Sequence, residues 1–423
     1  MRRFATLALA VAVPQLAYAG GFELIHQSPA ATGMAAAQTA RADDPAAVYY
    51  NPAGMAFQRG LGVLAGADLY IVNIDGAAPA AQATNLGGAA KASSNEIVAT
   101  PTLFLTQRLG SHFAAGVGVY TNFGEDLRYP TTSALRFGGS IIDIQTVTVN
   151  PSVAIRPNPR FSIGFGIDIL QAGIQLQRGL AFGAGEGNVN MGFSGTGVGG
   201  NVGLMVVAIP KYLNIGFTYR SSINVDADGH AAFNGPAELG VTGRQTATTS
   251  VELPHNFALG LGSDLCERLG VNFDVRWTLW SSLKSLDFTF TDPAAPSGTA
   301  STKSSLPLNW RDSYALRLGA EARLLREKNL KIRAGVGYDR TPVPASTLGP
   351  LTPDSDRIIV SVGLGYSHKW FGIEAAYLAA IVLDRTSTNP DLRADFQGVG
   401  HVLSLALNFR WEKVLSRLVT AGY

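Results

Sequence analysis

The sequence has little charge, a single cysteine and, after its first nineteen residues, no long hydrophobic run. Charged residues make up 15% of the chain and the net charge is +2, so neither a nucleic-acid partner nor an acidic partner is indicated. Cys266 has no second cysteine to pair with, which excludes an intramolecular disulfide and a cysteine-based zinc site. A helix needs ~20 consecutive apolar residues to cross a bilayer, and the rest of the chain has no such stretch.

The first nineteen residues have the features of a signal peptide. Arg2 and Arg3 supply positive charge, residues 4–16 are mostly apolar, and Ala-Tyr-Ala at 17–19 is a pattern that signal peptidase cleaves. We therefore expect export and a mature chain that begins at Gly20; the alternative is an uncleaved N-terminal anchor. An exported chain without a spanning helix is either a soluble protein or a transmembrane β-barrel.

Apolar and polar residues alternate with a period of two along the mature chain, which predicts β-strands. A soluble β-sandwich turns the apolar face of each strand inward, whereas an outer-membrane barrel turns it toward lipid and its polar face toward the lumen. A single alternating strand does not distinguish these two folds. The length of the strands and of the connections between them is needed to choose between them. The clearest examples of alternation are 161–169, 271–280, 330–339, 357–367 and 402–411.

Turn signals divide residues 61–411 into fourteen predicted strands. Short turns join them at one end and long loops rich in Gly, Pro, Ala, Ser and Asp at the other, which is typical of outer-membrane barrels. Closing the sheet also removes the strand edges, whose unpaired backbone N–H and C=O groups cannot form hydrogen bonds with lipid. The predicted fold is therefore all-β, a transmembrane antiparallel β-barrel of about 14 strands. The predicted strands are 61–72, 96–109, 112–122, 140–156, 160–178, 191–209, 213–225, 246–265, 269–290, 306–324, 330–340, 357–367, 370–383 and 399–411.

Residues 20–60 do not alternate and are rich in alanine. They also contain Phe22, Tyr49, Tyr50 and Phe57, and this apolar content is high for a free tail. The segment either hangs free in the periplasm or folds back as a plug inside the barrel. The predicted organisation is a signal peptide at 1–19, an N-terminal hatch at 20–60, the barrel at 61–411 and a C-terminal extension at 412–423.

Short motifs run in order along the mature chain: GGFEL at 20–24, ADD at 42–44, NPAGM at 51–55, TNFG at 121–124, NWRDSY at 309–314, YDRTPVP at 338–344 and PDSDR at 353–357. In these motifs the chain resembles the FadL/TodX-type outer-membrane transporters, which carry long-chain fatty acids and, in one branch, aromatic hydrocarbons. The resemblance implies a fourteen-stranded barrel plugged by an N-terminal hatch. It also implies capture of a hydrophobic ligand at the extracellular side and lateral release through a kink in the barrel wall.

The resemblance implies roles for individual residues as well. Phe22 stands where the family packs an aromatic side chain against ligand, and Arg178 and Arg311 resemble basic positions that hold a fatty-acid carboxylate. The alternatives are an unstructured end for Phe22 and solvated or lipopolysaccharide-facing side chains for the arginines. The hatch and gate positions are Asn51, Pro52 and Ala53 near the wall opening, and Thr121, Asn122, Phe123 and Gly124 at the kink, where glycine is expected to supply unusual backbone freedom.

No motif predicts an enzyme, a cofactor or a metal site. The G-x-G-x-x-G pattern at 195–200 lies inside a predicted strand, without the following helix that dinucleotide binding requires. The six histidines lack the close spacing of metal ligands. The charged residues of the predicted lumen are expected to form a structural ion-pair lattice: Asp168, Asp274, Arg276, Arg317, Glu321, Arg323 and Arg333.

These expectations favour passive uptake of hydrophobic molecules across the bacterial outer membrane. Long-chain fatty acids are the first choice of substrate, and aromatic or alkane hydrocarbons are the alternative. A general porin requires an unplugged lumen, which the hatch argues against, and an outer-membrane lipase requires a catalytic arrangement that the sequence does not display. The expected partners are the ligand, outer-membrane lipid and lipopolysaccharide, with no nucleic acid, and the protein is expected to be monomeric.

Overall fold

The computed structural model describes residues 20–182, 185–236, 243–290, 303–325, 327 and 329–411. The predicted signal peptide and the predicted C-terminal extension lie outside these ranges. Within them, every helix is too short or too polar to cross a membrane.

Fourteen antiparallel strands form a closed β-barrel in the described part of the chain. The last strand pairs with the first, with Leu61 opposite Trp411 and Ala77 opposite Asp395, so the sheet closes on itself. The wall strands are β1 Leu61–Ala77, β2 Lys91–Leu109, β3 Phe113–Tyr120 with Gly124–Arg128, β4 Ile141–Asn158, β5 Phe161–Phe182, β6 Gly185–Ile209, β7 Leu213–Arg220 with Ile223–Asn234, β8 Gly243–Leu253 with Asn256–Cys266, β9 Leu269–Thr278 with Ser285–Phe290, β10 Lys303–Pro307 with Ser313–Leu324, β11 Leu330–Asp339, β12 Arg357–His368, β13 Phe371–Val382 and β14 Asp395–Trp411.

The predicted fold and the predicted fourteen strands are confirmed, but several strands extend further than the sequence indicated. Residues 179–190 were expected to form a long loop, whereas β5 and β6 continue their pairing as far as Phe182 and Gly185. The alternation fades there because neither face of the hairpin has to match lipid, while backbone pairing continues regardless of side-chain polarity.

The wall strands place their apolar side chains outside and their polar side chains inside. In β12, Ile358 and Val360 are 45% and 44% exposed, whereas Ser361 is only 2% exposed. In β5, Ile167 is 53% exposed beside Asp168, which is fully buried. A soluble fold would not hide carboxylates and expose isoleucines, so this inverted pattern is the one that a lipid-facing barrel requires.

Residues 20–60, called here the N-terminal segment, are mostly buried and contact polar side chains of the wall strands. They form two single-turn α-helices, α1 Pro29–Thr32 and α2 Ala47–Tyr50, and one 3₁₀ helix, Pro52–Phe57. The connections between wall strands carry a third α-helix, α3 Ala80–Asn85, and the 3₁₀ helix Ala134–Phe137. Another 3₁₀ helix, Trp280–Ser282, lies between the two segments of β9. A two-residue strand, Arg385–Thr386, pairs with the start of β14.

Polar side chains of the wall satisfy the irregular backbone of the N-terminal segment. The Asp274 carboxylate on β9 accepts hydrogen bonds from the N–H groups of Gln38 and Thr39, at 2.9 and 2.8 Å. Arg41 forms an ion pair with Glu321 on β10 at 2.6 Å. Buried backbone groups without strand partners need such hydrogen-bond acceptors. The polar lumen face therefore binds the N-terminal segment and does not simply line a water-filled channel.

Six of the seven residues predicted for the lumen lattice form ion pairs, and at Asp274 backbone N–H groups take the place of a cation. Burying an unpaired charge is costly, so each charge needs a partner at this depth. The pairs are Asp168 with Arg220, Glu23 with Arg276, Asp339 with Arg317 and Arg357, and Glu321 with Arg41, Arg323 and Arg333.

Replacing Asp168 by alanine is expected to destabilise the barrel strongly. The Asp168 carboxylate accepts hydrogen bonds from Tyr120 and Asn150, both at 2.8 Å, and pairs with Arg220. Its loss leaves the Arg220 guanidinium buried without a counter-charge, so the free energy of unfolding should fall by ~3–5 kcal/mol. Urea unfolding in micelles, followed by tryptophan fluorescence, measures this.

The control is Asp264→Ala, which removes a carboxylate that is 44% exposed in its pair with Arg323. An exposed pair contributes little, so this variant should lose less than ~1 kcal/mol. Equal losses in the two variants would show that burial of Asp168 does not govern stability.

Candidate ligand cavity and wall opening

An apolar cavity, called here the main cavity, lies on the long-loop side of the N-terminal segment. The lining surrounds about 770 Å³ of non-atom space, a figure that includes open solvent. Strands β4 to β10 supply most of its wall, and the loop before β12 closes it. The lining consists of Phe22, Glu125, Ile142, Ile144, Thr146, Ala172, Ile174, Leu176, Phe193, Val225, Thr249, Val251, Leu253, Leu283, Leu286, Phe288, Leu306, Leu308, Trp310, Leu351 and Thr352.

Phe22 stands at one side of the main cavity within a cluster of aromatic rings. Its ring centroid lies 4.9 Å from that of Trp280, 5.7 Å from that of Trp310 and 5.9 Å from that of Phe123. Gly21 makes this contact possible, because it has a φ of +63° and a Cβ there would lie 2.7 Å from the Trp310 ring. The structure therefore brings two predicted site residues, Phe22 and Phe123, into one cluster.

Backbone pairing in the barrel wall is interrupted between β2 and the second segment of β3, and this interruption is called here the wall opening. The pairing of β2 with β3 runs from Leu109 to Leu103, which is opposite Val119. Beyond the break at 121–123, the described residues of β3 pair with β4 and not with β2. Farther along, the Arg128 N–H donates to Ser94 Oγ at 2.8 Å, so side-chain contacts bound the opening at its far end. The break coincides with the motif at 121–124.

The reason predicted for glycine at position 124 is wrong. Gly124 does not have a positive φ, so the kink does not depend on a conformation that only glycine adopts. A Cβ at this position would instead lie 3.1 Å from Leu24 Cδ1 and 3.3 Å from the Ile144 carbonyl oxygen. Close approach of the N-terminal segment is what favours glycine here.

The start of the mature chain pairs with β3 at this break. The Leu24 N–H donates to the Asn122 carbonyl oxygen, and the Gly124 N–H donates to the Phe22 carbonyl oxygen, both at 2.9 Å. Glu23 and Phe123 are therefore directly opposite each other as an antiparallel pair. Residues 22–24 thus occupy the strand edge that the break in β3 exposes.

Ion pairs and hydrogen bonds hold the first mature residues in place. Glu23 forms an ion pair with Arg276, and the Gln27 side chain donates to the Thr121 carbonyl oxygen at 2.6 Å. Asp354, in the loop between β11 and β12, accepts a hydrogen bond from Gly21 N–H at 3.3 Å. Burial raises the pKa of Asp354 to about 6.

The predicted hatch residues Asn51, Pro52 and Ala53 lie against the wall away from the break in β3. Asn51 is fully buried, and its amide nitrogen donates to the Thr39 and Leu204 carbonyl oxygens at 2.8 and 3.0 Å. The Ala53 carbonyl oxygen accepts from Ser162 Oγ at 2.9 Å. These contacts tie the N-terminal segment to β5 and β6, whereas the wall opening lies between β2 and β3.

The two predicted anchor arginines lie outside the lining of the main cavity. Arg178, on β5, donates from Nε to the Phe137 carbonyl oxygen at 2.6 Å. Arg311 has an exposed side chain just before the second segment of β10. At the long-loop end, Arg178 is therefore hydrogen-bonded to the backbone and Arg311 is solvated. A role for either in holding a carboxylate stays a prediction.

Sequence reasoning missed Trp280, Trp310 and Glu125 as site residues. Trp310 is part of the NWRDSY motif, but the motif does not predict that this residue contacts Phe22. Glu125 directly follows the TNFG motif, yet a charged residue after a kink carries no signal that it turns inward. Their assembly depends on long-range packing that one sequence does not display.

Comparison with known proteins agrees with this architecture. Residues 10–411 match the family model described as outer membrane protein transport protein (OMPP1/FadL/TodX). The chain is 25% identical over 453 residues to the long-chain fatty acid transport protein of Escherichia coli O6:H1 (strain CFT073), which covers 96% of this chain and 98% of that protein.

Solved structures share the fold. A Pseudomonas aeruginosa FadL homologue superposes with a TM-score of 0.83 at 21% identity, covering 92% of this chain and all of that one. The Pseudomonas putida toluene transporter TodX superposes with a TM-score of 0.70 at 17% identity, covering 94% of this chain and 100% of that one. At these identities the likeness extends to the fold and not to the ligand.

Proposed function

The chain belongs to the outer membrane protein transport family of OMPP1, FadL and TodX, and we propose that it delivers hydrophobic molecules by lateral release through its wall opening. It is an outer-membrane β-barrel that transports hydrophobic substrates. In the proposed route a ligand enters the main cavity from the extracellular side and leaves sideways into the bilayer. The protein performs no chemistry on it.

The observation that carries this route is the position of Phe22. Its side chain lines the main cavity, and its carbonyl oxygen accepts the hydrogen bond from Gly124 at the break in β3. One residue therefore separates the cavity from the wall opening. A small shift of residues 22–24 would connect the two spaces while leaving the barrel intact.

Lateral exit suits the physical chemistry of the cargo. An apolar molecule gains ~25 cal/mol for each Å² of surface that it removes from water, so the bilayer is a favourable destination and the periplasm is not. The N-terminal segment acts in this proposal as a hatch that closes the axial path. At its other end the lumen contains a cavity lined by charged residues, among them Asp43, Lys369 and Arg410, which is a poor path for such a ligand.

The substrate class remains a choice between two kinds of hydrophobe. The Escherichia coli relative is named for long-chain fatty acid transport, and the TodX structure is named for toluene. A fatty acid would use Arg178 and Arg311 at the long-loop end as carboxylate anchors, whereas a hydrocarbon would need only the apolar lining. Both use the same cavity and opening.

Photo-crosslinking tests the route. A 1-dodecanol that carries a diazirine, added to the protein in outer-membrane vesicles, should label cavity residues such as Ile142 and Val251 and the opening at 121–124, as read by peptide mass spectrometry. Excess unlabelled 1-dodecanol is the control and should abolish the adducts. Adducts at Lys369 and Arg410, with none at the opening, would contradict lateral release and indicate an axial path.

A further inference from the structure

Four polar side chains interrupt the apolar lining of the main cavity: Glu125, Thr146, Thr249 and Thr352. The hydroxyl of each threonine donates its hydrogen to a backbone carbonyl oxygen, at 2.5, 2.9 and 3.4 Å respectively. A hydroxyl has one hydrogen to donate, so these three groups offer a ligand only their oxygen lone pairs. Hydrogen-bond acceptors therefore predominate among the polar atoms of the cavity.

Glu125 is the one ionisable residue in this lining. It lies on the second segment of β3, and it also lines a smaller cavity beside Asp354. Among the described residues, none donates a hydrogen bond to the Glu125 carboxyl. Arg128, on the same segment, is occupied by Asp126 and Asp143 at 2.9 and 2.8 Å. The passage from the main cavity toward the wall opening is consequently acidic.

The main cavity offers a carboxylate ligand no counter-charge, and with Glu125 ionised it offers no free donor either. Its lining contains no lysine, arginine or histidine. The indole nitrogen of Trp310 is a donor without a partner, but it is fully buried and does not reach the cavity surface. A carboxylate moved into this space would lose its hydration without compensation and would face the carboxyl group of Glu125.

We propose that the main cavity selects uncharged hydrophobic molecules and that Glu125 is the residue that discriminates against carboxylates. The proposal rests on the transport function proposed above and names its substrate class. An aliphatic chain fills the apolar lining, and a terminal hydroxyl can donate a hydrogen bond to Glu125. A long-chain alcohol therefore binds better than the fatty acid of the same length, although the two differ only at one end.

Direct binding of two matched probes tests the proposal. Radiolabelled 1-dodecanol and dodecanoate are equilibrated at pH 9.5 with the purified mature protein in amphipol, and the two Kd values are compared. We expect the alcohol to bind at least about tenfold more tightly than the carboxylate, because an unpaired buried charge costs more than the ~1.4 kcal/mol that a tenfold difference represents. Equal Kd values for the wild-type protein would overturn the selectivity, whatever the behaviour of any variant.

The variant Glu125→Gln replaces a carboxyl group by a neutral amide of nearly the same shape, which cannot carry a negative charge. It should lower the preference for the alcohol by about tenfold, mainly through tighter binding of dodecanoate. Asp126→Asn, at the adjacent position and paired with Arg128, is the matched control and should leave the preference within about threefold. An unchanged preference in Glu125→Gln, or the same change in both variants, would overturn the assignment to Glu125. Failure of both probes to bind would overturn the transport function as well.

Discussion

Deletion of residues 20–60 should convert a nearly non-conducting barrel into an open pore. These residues are mostly buried against the wall strands, and side chains such as Ala31, Met34 and Val48 are fully buried. Their removal exposes the inward face of the wall. In the intact protein, Asp274 and Glu321 on this face form a hydrogen bond and an ion pair with the segment. A lumen lined by such groups fills with water and conducts ions, so single-channel conductance in planar bilayers should rise from near zero to a stable open level.

A deletion of Ala80–Asn85, the helix in the β1–β2 loop, is the control because Ala83 is the only buried residue of that helix. That variant should keep the low conductance of the complete protein. Circular dichroism should show retained β content in both variants. Equal conductance before and after deletion of 20–60 would mean that the segment does not close the lumen.

The sequence was sufficient to predict the barrel because lipid imposes a rule that acts on every strand separately. Ile358 and Val360 must face outward and Ser361 inward, and this alternation is readable without any tertiary contact. Strand ends were less predictable. The hairpin that joins β5 to β6 has no lipid to match, so its residues do not alternate although their backbone pairs as far as Phe182.

The site was only partly predictable, because its geometry depends on contacts between distant parts of the chain. The motif at 121–124 marked the break in β3, but the pairing of Glu23 with Phe123 across it has no local signal. The inward position of Glu125 likewise depends on where β3 resumes after the break. The arginines predicted as anchors were chosen by resemblance and position alone, and packing placed both outside the cavity lining.

Covalent attachment of the N-terminal segment to β3 should stop release without stopping binding. Glu23 and Phe123 form an antiparallel pair whose flanking residues exchange the hydrogen bonds. The two Cα atoms of such a pair lie about 4.5 Å apart, which is within the range that a disulfide spans. Glu23→Cys with Phe123→Cys, in a Cys266→Ser background, should therefore form a disulfide that fixes residues 22–24 across the opening.

The reduced form of the same protein is the control, because it carries the same loss of the Glu23–Arg276 ion pair and of the Phe123 ring. The oxidised and reduced forms of the protein thus differ only in the disulfide bond. Fixing residues 22–24 should slow ligand release, which needs them to move, and should leave ligand binding unchanged.

The central claim is that ligand leaves the main cavity by displacing residues 22–24 from the break in β3. The most direct measurement is the initial rate of 1-dodecanol uptake by cells that carry the double-cysteine protein, compared between its oxidised and reduced forms, together with the Kd of each purified form. We predict that oxidation lowers the uptake rate at least about tenfold, that reduction restores it, and that the Kd changes by less than about threefold. Equal uptake rates in the two forms, with the disulfide verified by mass spectrometry, would contradict the claim.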